Sequence, residues 1–102
     1  MTQFVFAYRG GGMAATPEEQ QKAMAAWEAW FGTLGSALVN IGNPFAASQT
    51  VQPDGSATAG GGELTGYSVV DAADLPAAAN LAKGCPILSD GGTVEVYETI
   101  SM

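Results

Sequence analysis

Residues 3–8, QFVFAY, alternate along a strand, with Phe4, Phe6 and Tyr8 on one face and Val5 and Ala7 on the other. Neither face is strongly polar, so both are expected to be covered. The period then lengthens. Met24, Trp27, Phe31, Leu34 and Leu38 fall on one narrow helical stripe, with Trp30 at its edge. The start of that helix is marked by Thr16 as a cap, Pro17 at the first position and Glu19 where a capping box places it. Gly32 and Gly35 each weaken the helix by about 1 kcal/mol relative to alanine, which blurs its end near Leu34.

Residues 37–43 turn into a second strand region, closed by Gly42-Asn43-Pro44. A hairpin is expected over 44–59, reversing at Gln52-Pro53-Asp54-Gly55, where proline presets one turn angle and glycine accepts positive φ. Residues 64–70, LTGYSVV, read as the third main strand, and Gly66 inside it signals a bulge or a close approach. Asp74 caps a short helix over 75–83 whose inner stripe is Leu75, Ala78, Ala79 and Ala82. Lys83 suits the negative end of that helix, Gly84 reads as a left-handed cap, and Cys85-Pro86 blocks further helix. After the turn at 90–92, residues 93–100 alternate again. Val94, Val96 and Ile100 point one way and Glu95, Tyr97 and Thr99 the other, with Glu98 breaking the pattern.

The order is strand, long helix, strand or hairpin, strand, short helix, strand. This predicts an α+β fold, a ferredoxin-like sheet with two helices on one face. Two helices leave the other sheet face bare, and a second copy of the sheet is the simplest cover. A homodimer through the sheet face is therefore expected.

With 102 residues, one domain over 1–102 is the natural reading. The formal charge of −7 sets ten acids against Arg9, Lys22 and Lys83, a balance that repels nucleic acid and anionic lipid. No apolar run approaches a membrane span and no signal peptide is visible, so no membrane partner is expected. One cysteine excludes an internal disulfide and fits a reducing cytosol, hence a cytoplasmic protein. Histidine is absent, which excludes a Ser-His-Asp triad, a Cys-His pair and every His-ligated metal site within the chain. No metal and no cofactor is expected.

The candidate chemistry is thin. Arg9 precedes glycines and a helix N-terminus, as an anchor for a carboxylate ligand or as an ion-pair partner. Asp71 ends a strand beside the expected cavity and is the candidate general base. Tyr8 and Tyr67 could donate hydrogen bonds to a ligand or simply pack, as could Tyr97. Cys85 follows a helix C-terminus with no histidine to activate it, which favours a buried structural thiol over a nucleophile.

The chain resembles the YCII-related family, also called the DGPF domain family, over nearly its whole length. The resemblance rests on the opening strand with Tyr8, on TPEEQQKAMAAWEAWFGTLG and on ELTGYSVVDAADLPAAANLAKGCPILSDGGTVEVYE. It implies a ferredoxin-like domain that dimerises into an α/β barrel. Where the family carries Asp-Gly-Pro-Phe this chain reads DGSATAGGG from Asp54, and the His-Asp pair suggested for some members has no histidine here. Three functional readings follow. The leading one is a small-molecule binder whose site is lined by Tyr8, Arg9 and Tyr67, with Asp71 near it. The second is a small lyase, isomerase or hydrolase using Asp71 and a tyrosine, and the third is a regulatory interaction protein without a ligand pocket.

Overall fold

A computed structural model describes residues 1–10, 16–61 and 63–101. The glycine runs expected at 10–12 and 60–62 fall partly outside these residues. The chain is an α+β fold. Its first strand, β1 (Thr2–Arg9), is followed by the long helix α1 (Pro17–Leu34) and a short strand β2 (Leu38–Asn40). A hairpin of β3 (Gln49–Val51) and β4 (Ala57–Ala59) precedes β5 (Leu64–Ala72), helix α2 (Leu75–Ala82) and β6 (Thr93–Glu98). Four strands form one antiparallel sheet in the order β2-β5-β1-β6, and β3-β4 form a separate pair.

The alternation of β1 sorts the sheet into two faces. Phe4 and Phe6 are fully buried and Tyr8 nearly so. Their register partners on β5 are Val70, Ser68 and Gly66, and on β6 Glu98, Val96 and Val94. Both helices lie on this face: Trp30 and Leu34 of α1, and Ala78 and Ala82 of α2, join one core with Phe4, Phe6 and Val70. The small alanines let α2 sit close to the strands. The opposite face, with Val5, Ala7, Tyr67, Val69, Glu95 and Tyr97, has no helical layer. The shortest dimension of the molecule, 19 Å, is that of one sheet and one layer of helices.

The helix starts behave as their sequences dictate. Thr16 Oγ1 accepts from the Glu19 amide at 3.1 Å, and Asp74 Oδ1 accepts from the Ala77 amide at 2.9 Å. The ends differ from expectation. Gly84 is not a left-handed cap: α2 closes through Lys83 in right-handed geometry, and positive φ does not occur at Gly84. Gly84 is small for another reason, since a Cβ there would lie 3.1 Å from Cδ1 of the Trp30 indole. Trp30, at the edge of the sequence stripe, is at its buried centre, while Met24 is 64% exposed. The loop expected after Pro86 is a short 3-10 helix, Pro86–Asp90, ended by Gly91 at φ 80°. Leu75 and Ile100, both expected inward, are exposed, Ile100 because β6 ends at Glu98.

Gly66 meets both of its expectations. The register slips between Tyr8 and Arg9, where Gly66 and Leu64 are the partners, and a Cβ on Gly66 would stand 3.1 Å from the Asn43 carbonyl. The β3-β4 hairpin turns as expected, with the Gly55 amide bonded to the Gln52 carbonyl at 2.8 Å. Every residue of its two strands is exposed. It stands off the body as an arm, and the radius of gyration is 15.0 Å where a compact chain of this length has about 13 Å.

Gly42 is the tightest point of the fold. Its φ is 75°, and a Cβ would fall 1.7 Å from the Tyr67 carbonyl oxygen. Gly42→Ala is expected to cost well over the roughly 1–2 kcal/mol of a left-handed alanine, because main chain must move as well. Gly55→Ala, with φ 88° and open space around it, should cost only that conformational term. Urea denaturation of the two variants side by side checks the difference; equal losses would refute the crowding at Gly42.

Candidate functional site

At the Arg9 end of β1 the sheet and α1 separate over a half-open cavity of about 490 Å³. Its roof is Trp27 and Phe31 of α1, and its floor is Tyr8 with Thr65 and Gly66 of β5. Ile41, Gly42, Asn43 and Pro44 form one wall, and Ile87 and Asp90 of the 3-10 helix form another. Gly42 and Gly66 let main chain pass against main chain beside the cavity, since a Cβ on either would run into neighbouring backbone.

The aromatic residues pack on one another. Tyr8 and Trp27 meet edge to face, with ring centroids 5.0 Å apart at 78°. Trp27 also meets Trp30 at 5.7 Å and Phe31 at 5.7 Å. The polar groups of the floor are mostly engaged. Tyr8 Oη donates to Ser68 Oγ at 2.7 Å, and Ser68 Oγ donates onward to the Ile41 carbonyl at 2.6 Å. This chain satisfies the only buried polar side chain of the core among the described residues, Ser68. Burial holds the Tyr8 phenol well above its ordinary range, against the opposing pull of Ser68. The Thr65 hydroxyl donates to the Tyr8 carbonyl at 3.2 Å. The lining also includes the polar residues Asn43, Tyr67 and Asp90 and the indole of Trp27.

The four residues expected to form a site do not share one place. Tyr8 and Tyr67 both border the cavity. The Tyr67 ring stacks on Phe45, centroids 5.8 Å apart, and alternation puts it on the sheet face opposite Gly66 and Ser68. Arg9 projects to that same open face. It pairs with Glu63 and with Glu95, whose Oε1 lies 2.8 Å from Arg9 Nε. The Glu63 hydrogen bond, then Glu95, raises its already high pKa. Arg9 lines a second, more open hollow at the base of the arm, beside Phe45 and Glu63. Asp71 pairs with Gln3 at the far end of β1, four residues beyond Tyr67, and lines neither hollow. At the rise of a strand that is about 13 Å. Tyr97 donates to Glu95 at 2.5 Å, which lowers the Glu95 pKa, with Arg9 adding to the effect, and raises that of Tyr97.

The sequence alone gives no site role to Asp90, Trp27 or Phe31: Trp27 reads as packing rather than a ligand cage, Phe31 as part of the helix stripe and Asp90 as a turn residue. Only the fold brings the half-buried Trp27 and Phe31 together with the exposed Asp90 at one end of the sheet. Cys85 is buried, and burial pushes its thiol up to about 11. Among the described residues no cluster of three or more Cys, Asp or Glu side chains could hold a metal ion, and no helix is long and apolar enough to cross a membrane.

The buried thiol and phenol set an alkaline limit. Both groups ionise more easily in the unfolded chain, near 9 for the thiol and 10 for the phenol, than in the fold. The stability that these two groups contribute is therefore full below pH 9 and falls as pH rises from there, through about 11 for Cys85 and beyond for Tyr8. Urea midpoints measured from pH 8 to 11 should decline, and Cys85→Ala should flatten the first part of that decline. An unchanged slope would remove the thiol from the account.

No protein-family model matches this chain, and none of the curated proteins compared with it matches it.

Proposed function

We propose that the chain is a small-molecule-binding domain of ferredoxin-like α+β fold, acting as a homodimer of the YCII-related (DGPF) type. The observation that carries the binding reading is the apolar cavity of about 490 Å³ between Tyr8, Trp27 and Phe31. Ligand sites of this size are concave, mostly apolar and furnished with a few polar groups. The strand order β2-β5-β1-β6, with a helix after β1 and after β5 on one face, supports the ferredoxin-like arrangement. Half-buried Val5 and Val69 on the face without helices support a second copy as its cover. The single cysteine supports a cytoplasmic setting.

Binding is favoured over acid–base catalysis by the state of the polar groups. The Tyr8 hydroxyl is committed to Ser68, and Asp71 lies a strand's length from the cavity. A general acid and base need to converge on one reacting atom.

Benzyl alcohol is a suitable neutral probe. It should shift the backbone amide resonances of Gly42, Thr65 and Gly66, and Phe31→Trp, which fills the roof, should weaken that binding at least about ten-fold. Shifts spread evenly over the chain, or untouched by Phe31→Trp, would overturn the site. Sedimentation at low micromolar concentration should give a dimer that Val69→Lys dissociates; a folded wild-type monomer there would end the homodimer reading.

A further inference from the structure

The charge around the cavity narrows what it can hold. Among the described residues Asp90 is the only charged residue of the lining. No cation is available to meet an anionic ligand there. Arg9, next in sequence to Tyr8, is turned to the other sheet face and closed between Glu63 and Glu95. Lys22 and Lys83 do not line the cavity, and the sequence between Arg9 and Glu18 carries no charged residue. A carboxylate or phosphate would therefore be desolvated against Asp90 with no cationic partner.

The opposite charge finds two kinds of partner. Tyr8 and Trp27 stand nearly perpendicular, at 78°, and Phe31 is tilted 40° from Trp27. Three aromatic rings line one volume, and an electron-rich ring face turned toward it favours an alkylammonium group. Asp90, at the end of the 3-10 helix, supplies a carboxylate at the rim. The whole chain, at −7, draws cations toward it. We infer that the cavity takes an organic cation, an alkylammonium or quaternary ammonium carried on an apolar body, with the aromatic roof and floor around the apolar part and Asp90 facing the charge. This rests on the cavity being a ligand site.

Three probes with one benzyl body and different charge test it: benzyltrimethylammonium, benzyl alcohol and phenylacetate. Dissociation constants come from the amide resonances of Gly42, Thr65 and Gly66 in the full chain. The cation should bind at least about ten-fold more tightly than phenylacetate, and more tightly than the alcohol. Asp90→Asn should weaken the cation about five-fold or more and the alcohol by clearly less; Asp90 is exposed, so the variant keeps the fold. The preference should also shrink as salt is raised. Equal or tighter binding of the alcohol or the anion, or a cation affinity indifferent to Asp90→Asn, overturns the cation assignment while the ligand site stands. Binding of none of the three removes the ligand site itself.

Discussion

The indole of Trp30 is where the helices and the sheet are fastened to one another. Its ring stacks against Phe6 of β1 at 6.0 Å and meets Tyr8, Trp27 and Phe31. Its N–H donates to the Leu81 carbonyl of α2 at 3.1 Å, so one side chain of α1 binds both a strand and the second helix. The chain is rich in alanine and poor in large core residues, and this cluster supplies much of the bulk that the helix alanines do not. Gly84 is part of the same arrangement, since any side chain there would press on the indole. The cavity is a by-product of this fastening. Trp30 pins α1 to the middle of β1, and the earlier part of the helix, with Trp27, bridges over the place where the sheet bulges at Gly66.

Element types and their order were legible because they rest on short-range chemistry. Thr16, Asp74 and Pro17 mark helix starts through bonds and angles confined to a few residues. The turn at Pro53-Asp54-Gly55 is set the same way. The failures share a cause of another kind. Gly84 looked like a helix cap because caps are local, yet its smallness answers a tryptophan 54 positions earlier in the chain. The helix stripe was centred too near Met24, because periodicity alone does not say which side of a stripe a neighbouring strand will touch.

The site was less legible than the fold for a related reason. Tyr8 was reached because it lies on the inward face of an obvious strand. Arg9 is its neighbour, and alternation alone sends it to the opposite face, where two glutamates close on it. Asp90 carried only the signal of a turn before two glycines. The molecule thus separates its polar chemistry by sheet face: a network of Arg9, Glu63, Glu95 and Tyr97 on one, and an aromatic hollow with a single carboxylate on the other.

The arm has a bearing on how copies of the chain behave in solution. Between Glu28 and Glu63 the sequence carries one charge, Asp54, so the two outer edges of the β3-β4 pair are nearly uncharged, and Val51 is 69% exposed. Free edges of this kind pair with one another unless something holds them apart. Here the arm has no lysine to do so, and the repulsion comes from the acidic body behind it. That repulsion reaches only about 8 Å at physiological ionic strength, and the arm stands out beyond the body. Salt is therefore expected to act on this chain in the direction opposite to salting-in, letting the edges of neighbouring molecules approach as its concentration rises.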